Sequence, residues 1–330
     1  MTELSSKYCI FGAGAIGGTI AAQLARANAT VSVIARGETL AAIRKDGLRL
    51  LINGETLQTS VRASADPAEL GPQDYVIIAV KAPFLPEVAS RIGPLLGPET
   101  AVVTAMNGIP WWFFTNARGT LAGKRLTAVD PDGIIARAIP VSSAIGCVVY
   151  MSCAVEAPGV IRHGAGRRLI VGEPDNRSSR RVARLAKWLR RSGFDCVEST
   201  DIRRDIWFKL WGNLSMNPIS LLTAATLDRI IADPLVHTVM LPHDGGRWAD
   251  WRSHRHPGDR VDRGNVRQSP GARDRQDIDV AGCRAWQAGR DRCVADRDSR
   301  FRPDGRGADA VHRQRSRPRS SEGNQSRPAR

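Results

Sequence analysis

Hydrophobic and polar positions change rhythm along this chain, and each change marks an element. Residues 7–11 (Lys-Tyr-Cys-Ile-Phe) are a short apolar run ending in glycines, the pattern of a buried strand. Ile16 to Ala25 then follows a helical period, and Thr30 to Ala35 (Thr-Val-Ser-Val-Ile-Ala) reads as a second strand. Together they make a strand-turn-helix-strand unit of about 30 residues, the size of a parallel crossover. Glu38 to Lys45 reads as a helix, and Leu48 to Leu57 as strands around a turn at Asn53-Gly54. Tyr75 to Val80 is uninterrupted apolar sequence of the kind buried on both faces, and Ala101 to Thr104 is another such run. This alternation predicts an α/β fold with a doubly wound parallel sheet.

From Ser143 to Gly172 the pattern is more β-like, with candidate strands at Gly146–Ser152, Gly159–His163 and Leu169–Val171. Arg180 to Ser192 is a basic amphipathic helix, on which Arg180, Arg181, Arg184, Lys187, Arg190 and Arg191 read as a solvated face. Phe194 to Val197 is a short closing strand. From Asp201 through Leu222 the period is helical again. The expected organisation is an α/β domain over 1–200, the start of an all-α C-terminal domain over 201–240, and an anomalous tail over 241–330.

Chemistry enters at the first glycines. Gly12-Ala13-Gly14-Ala15-Ile16-Gly17 matches G-x-G-x-x-G, and it sits between an apolar strand and a helix, the context that gives the pattern meaning. Gly12 permits the tight turn, Gly14 lets the backbone approach a pyrophosphate, and Gly17 lets helix pack on strand. The helix N-terminus then offers N–H groups and partial positive charge to the phosphates. The sheet is therefore expected to be of Rossmann type. After the second strand, an enzyme for the unphosphorylated coenzyme usually carries an acid that accepts from the ribose 2′-hydroxyl. Arg36 stands there instead, a guanidinium suited to a 2′-phosphate, so NADP(H) is the expected cofactor.

Further along, Lys209, Asn213 and Asn217 are spaced i, i+4, i+8 and share one helix face. Ile206, Leu210 and Leu214 share another side, which is expected to pack inward. One cation and two amides in a row can hold a small α-keto acid, and the lysine can neutralise and then protonate a developing alkoxide. The order of the glycine turn, Arg36, Val80-Lys81-Ala82, Met106-Asn107-Gly108-Ile109-Pro110, and Trp207-Phe208-Lys209 with Asn213 and Asn217-Pro218 resembles the ketopantoate reductase family over roughly residues 6–235. The resemblance implies reduction of 2-dehydropantoate by NADPH, with Lys209 as general acid and Asn213 and Asn217 binding substrate. It also implies that Lys81 and Asn107 lie at the coenzyme or active site. Another NADP-dependent 2- or 3-hydroxyacid dehydrogenase, or a non-catalytic NADP-binding protein, are the alternatives. His163 and His237 lack partners that would make either a base.

The last ninety residues change the picture. Residues 241–330 hold 21 Arg, no Lys and 13 acidic residues, so this stretch carries more than half of the net charge of +15. They include one Leu, one Ile and one Phe, too few aliphatic groups to bury a core, so disorder is expected there. In the resembling family a helical domain continues and supplies a serine and a glutamate to the substrate. Arg, Asp, Gly and Ala with scattered Trp is what a GC-rich gene yields when read out of frame. Shifting the codons of Gln276 through Ala295 by one base permits K-T-S-M-L-Q-D-V-E-R-G-K-P-V-E-I-D-A-L-L, which resembles the missing family segment. A frameshift near Met240 to His243 is the expectation, with the glutamate encoded across Arg290 and Asp291. The mixed acids and the absence of Lys argue against a nucleic-acid arm. Cys9, Cys147, Cys153, Cys196, Cys283 and Cys293 show no metal-ligand spacing. The glycines that break Tyr8–Ala25 argue against a secretory leader, and no later run is long enough to span a bilayer. A cytoplasmic protein acting on a small keto acid is expected, with no membrane partner.

Overall fold

The computed structural model describes residues 6–236, apart from residues 116, 118 and 119. The long Arg-rich tail and His237 lie outside the described residues. Along the chain the elements are β1 (Lys7–Phe11), α1 (Ala15–Arg26), β2 (Thr30–Ile34), α2 (Gly37–Asp46), β3 (Leu48–Ile52), β4 (Glu55–Thr59) and β5 (Arg62–Ser64). Next come β6 (Tyr75–Ile78), α3 (Leu85–Arg91), β7 (Ala101–Ala105), α4 (Ile134–Ala138), β8 (Ala144–Ala157) and β9 (Val160–Gly172). The last are α5 (Arg180–Arg191), β10 (Asp195–Glu198), α6 (Ile202–Thr223) and α7 (Leu227–Ala232).

All ten strands join one sheet in the order β4-β3-β9-β8-β7-β6-β1-β2-β5, with β10 paired to β9. The run β5-β2-β1-β6-β7-β8 is parallel throughout. Connections run outward from β1 in one direction through β2 and in the other through β6, so the crevice between β1 and β6 is a topological switch point. β9 then returns antiparallel to β8. The carboxyl half of β9 pairs with β10 and its amino half with β3.

Strand periodicity sorts the core into two layers, because successive side chains of a strand point to opposite faces. Tyr8, Ile10, Tyr75 and Ile77 pack with Ile20 and Leu24 of α1 and with Leu185 and Leu189 of α5. Cys9, Phe11, Val76 and Ile78 pack with Leu85 and Val88 of α3, Ile135 of α4, Trp111 to Phe113, and Ile202 and Ile206 of α6. On the first face the Tyr8 and Tyr75 rings stack with centroids 5.1 Å apart, and Trp188 of α5 meets Tyr8 edge-on at 6.2 Å. That aromatic trio fastens α5 across two neighbouring strands.

The α/β class and the parallel sheet are as the alternation implied, and the turn at Asn53-Gly54 does join β3 to β4. Both turn residues have positive φ (53° and 81°), the geometry that matches the twist of a two-residue hairpin. Three expectations need correction. Gly159–His163 and Leu169–Val171 are the two ends of one strand, β9, which pairs with β8 along most of its length. The polar residues between them lie on an exposed antiparallel ribbon, and register shifts around Ser152 absorb the mismatch. Arg181 does not belong to a solvated face: its Nε and a terminal nitrogen donate at 2.7 and 2.6 Å to the two carboxylate oxygens of the buried Glu173. Burial of a carboxylate requires such a paired partner. Leu214 does not pack inward with Ile206; it is 61% exposed. That side of α6 is buried at Ile206, half-buried at Leu210 and open at Leu214.

Candidate coenzyme and active site

The glycine turn is built by close packing. Gly12 has φ +106°, and a Cβ there would lie 2.8 Å from Val80 Cγ1 and 3.0 Å from the Ala79 carbonyl oxygen. A Cβ on Gly17 would lie 2.0 Å from the Gly12 carbonyl oxygen and 2.9 Å from Ala79 Cβ. These two positions have no room for a side chain, so the turn and α1 sit directly on β1 and β6. Gly14 is different: a Cβ there would meet nothing within 4 Å. It is the N-cap of α1, with no side-chain cap and no acidic residue in the first turn. Open space above uncapped helix N–H groups, beside Ala13, Ala15 and Ile16, fits a pyrophosphate.

Three other sequence candidates lie beyond the carboxyl ends of parallel strands. Arg36 follows β2 and is the N-cap residue of α2. Lys81 follows β6, is exposed, and precedes a single turn of 3-10 helix at Ala82–Phe84. Asn107 follows β7 and is exposed, with Gly108 after it at φ +98°. The fold thus places the glycine turn, Arg36, Lys81 and Asn107 along one sheet edge, the edge where ligands bind in open α/β sheets.

Sequence reasoning missed Glu87. Its Oε1 accepts from an Arg36 terminal nitrogen at 2.5 Å and lies 3.5 Å from a terminal nitrogen of Arg91. The signal was weak because Glu87 is far from Arg36 in sequence and sits on the short helix α3, which lacks a long periodic pattern.

A cavity of about 510 Å³ opens beside this edge, lined by Pro83, Thr104, Asn107, Trp111, Cys147 and Ile206 among others. Its walls are mainly apolar, and Asn107 is the one sequence-predicted site residue that reaches it. The lining also brings α6 to the coenzyme edge through Ile206. Burial pushes the Cys147 thiol far above its ordinary value, so it is a neutral wall rather than a nucleophile.

Helix α6 carries the remaining candidates. Asp201 caps it by accepting from the Arg204 amide, and Arg203 ties it to the Trp111 segment by donating from Nε to the Phe113 carbonyl at 2.6 Å. Lys209 places Nζ 4.8 Å from the centre of the Tyr150 ring on β8. Burial, reinforced by the charge of Asp205, raises the Tyr150 hydroxyl to about 12, so Lys209 faces a neutral ring and the contact is a cation–π one. Asn213 is half-buried one turn on. Asn217 has a buried Oδ1 with no hydrogen-bond partner, immediately before Pro218, which itself removes one backbone donor from the helix. The three do not line the cavity. His163 bonds the Gly166 carbonyl at 2.7 Å within the β8–β9 ribbon, away from any acid-base pair.

A parallel sheet of this order, with a glycine turn and helix N-terminus at its switch point, defines a dinucleotide-binding fold. A family model described as ketopantoate reductase PanE/ApbA matches residues 8–176. The 2-dehydropantoate 2-reductase of Mesorhizobium japonicum is 50% identical over 240 residues, covering 71% of this chain and 74% of that protein. A solved structure from Ralstonia solanacearum MolK2, described as a candidate ketopantoate reductase, is 55% identical with a TM-score of 0.68 and covers 71% of this chain and 73% of that one. The 2-dehydropantoate 2-reductase structure from Geobacter metallireducens GS-15 is 26% identical with a TM-score of 0.60, covering 71% of each chain. The chain belongs to the ketopantoate reductase family, a family of NAD(P)-dependent oxidoreductases. No described helix is long and apolar enough to cross a membrane.

Proposed function

We propose that this protein reduces 2-dehydropantoate to (R)-pantoate with NADPH. The observation that carries the reading is the array along one sheet edge: an uncapped glycine turn, a guanidinium after β2, and Lys81 and Asn107 after the next two parallel strands on the other side. The 50% identical relative named for this reaction supports the choice of substrate.

In this reading Gly12 to Gly17 hold the pyrophosphate, Arg36 clasps the 2′-phosphate, and Lys81 and Asn107 contact the coenzyme's ribose and nicotinamide portions. When bound, the nicotinamide supplies a hydride for the keto carbon. Lys209 holds a proton for the oxygen at that carbon, and its charge stabilises the alkoxide before transfer. Asn213 and Asn217 donate to the substrate carboxylate.

The test is steady-state NADPH oxidation with 2-dehydropantoate and a panel of other keto acids. In a version carrying the family's complete helical domain, Lys209→Ala should lower kcat by about 10²- to 10⁴-fold, the usual worth of a positioned acid, with NADPH affinity unchanged by calorimetry. Turnover that survives the substitution, or faster reduction of another keto acid, would refute the assignment.

We also propose that residues 241–330 are an out-of-frame reading of the remainder of the helical domain. The part of the chain left unmatched by the Mesorhizobium relative is close in size to this tail. On this account the protein as written has lost the family's serine and glutamate and turns over little, while a frame-restored version is active. Resequencing the gene decides it; an intact frame encoding the Arg-rich tail would sink the proposal.

A further inference from the structure

We propose that Glu87 sets the coenzyme preference of this site by competing with the 2′-phosphate for Arg36. The inference rests on the reading of Arg36 as the coenzyme contact. The Glu87 carboxylate lies between two guanidiniums: one oxygen accepts from Arg36 at 2.5 Å and is 3.5 Å from Arg91. Arg91 is itself anchored, donating to the Ala65 carbonyl just beyond β5. The trio therefore spans the ends of β2 and β5 and helix α3, directly beside the position a ribose would take.

Three features make the pair a switch rather than a fixed brace. The side chains of Arg36 and Glu87 are 60% and 41% exposed, and ion pairs so open to water are weak enough to be exchanged. Glu87 keeps a second cation, Arg91, one turn away on α3, so releasing Arg36 does not strand its charge. And a 2′-phosphate bound at Arg36 would lie close to the Glu87 carboxylate, so like charges oppose its entry whereas a ribose hydroxyl meets no such penalty. Glu87 thus weakens NADPH binding and leaves NADH untouched. An enzyme with Glu87 neutralised should discriminate more sharply.

The experiment titrates the full chain with NADPH and with NADH at low and high salt. Glu87→Gln keeps shape and removes charge. It should raise the NADPH:NADH affinity ratio by about fivefold, the upper range for an exposed pair, through NADPH alone, and salt should shrink the gain. In an Arg36→Met background the gain should shrink to what direct charge repulsion alone supplies, since the two positions are coupled. An unchanged ratio in Glu87→Gln overturns the proposal, and so does a lowered one, which would make Glu87 a positioning residue for Arg36. Arg36→Met alone separates the layers: if it leaves the ratio as in wild type, the reading of Arg36 itself falls, and this inference with it. Retained NADH affinity in every variant shows that the site still folds.

Discussion

Two positions contrast how tightly this molecule is packed. At Gly17 a single added carbon would sit 2.0 Å from a carbonyl oxygen, while at Leu214 a whole side chain stands 61% exposed. The first belongs to a region whose geometry is dictated by packing: β1, the glycine turn and α1 leave one another no freedom. The second belongs to α6, a helix with apolar residues around its whole circumference, the composition of a helix meant to be enclosed. It is enclosed in part here: Ile202 and Ile206 pack against the sheet, and Met216 packs with Ile230 of α7, while Leu214 between them stands open. The coenzyme half of the site therefore stands on contacts within the described residues. The residues read as substrate-binding ride on a helix whose enclosure is interrupted at Leu214.

The sharpest way to break this contrast is at the glycines. Gly17→Val should cost about 3 kcal/mol or more, because the collision is with backbone, and should collapse the urea midpoint. Gly14→Ala should cost no more than about 1 kcal/mol, yet weaken coenzyme binding by calorimetry. Equal stability losses at the two positions would mean that the turn is not divided between packing and ligand roles. Along α6, Ile206→Ala should cost about 2–4 kcal/mol, and Leu214→Ala within about 0.5 kcal/mol. A large loss at Leu214 would show that this position is covered after all. The smallest effect is on pH dependence. Burial raises the Cys9 and Cys196 thiols from 9.0 to about 12, so the unfolded chain loses these protons first. Their contribution is intact below pH 9 and is lost as pH rises towards 12. Denaturant midpoints should fall across that window and fall less in Cys196→Ala; a flat profile would contradict the burial.

Much of the fold was legible because local and long-range demands agree at β1, α1, β2 and β6. Apolar runs there are buried on both faces, and the glycines mark turns that packing also requires. Legibility failed where an element is defined by its neighbour. β9 reads as two fragments because its middle is polar and is a strand only through pairing with β8. α3 and α4 are too short to show a period. Arg181 has a basic residue's ordinary sequence signature, and only the buried Glu173 reveals that it is structural. Of the proposed site, Gly12 to Gly17 and Arg36 were legible as candidates from motif and context, and Lys209, Asn213 and Asn217 from helical spacing. Glu87 was invisible, since nothing in a linear reading brings α3 to the end of β2.

The two-sided pairing of β9 also bears on how the protein is made. β3 leaves the ribosome early, with β4 as its sole strand partner until Val160 to Arg162 emerge far downstream. An isolated two-stranded ribbon is marginal in water, so during translation this hairpin waits as an unclaimed edge. Nascent chains paused before β9 should be open to proteases at Leu48–Thr59 and prone to self-association, and both hazards should end once that strand is threaded into place.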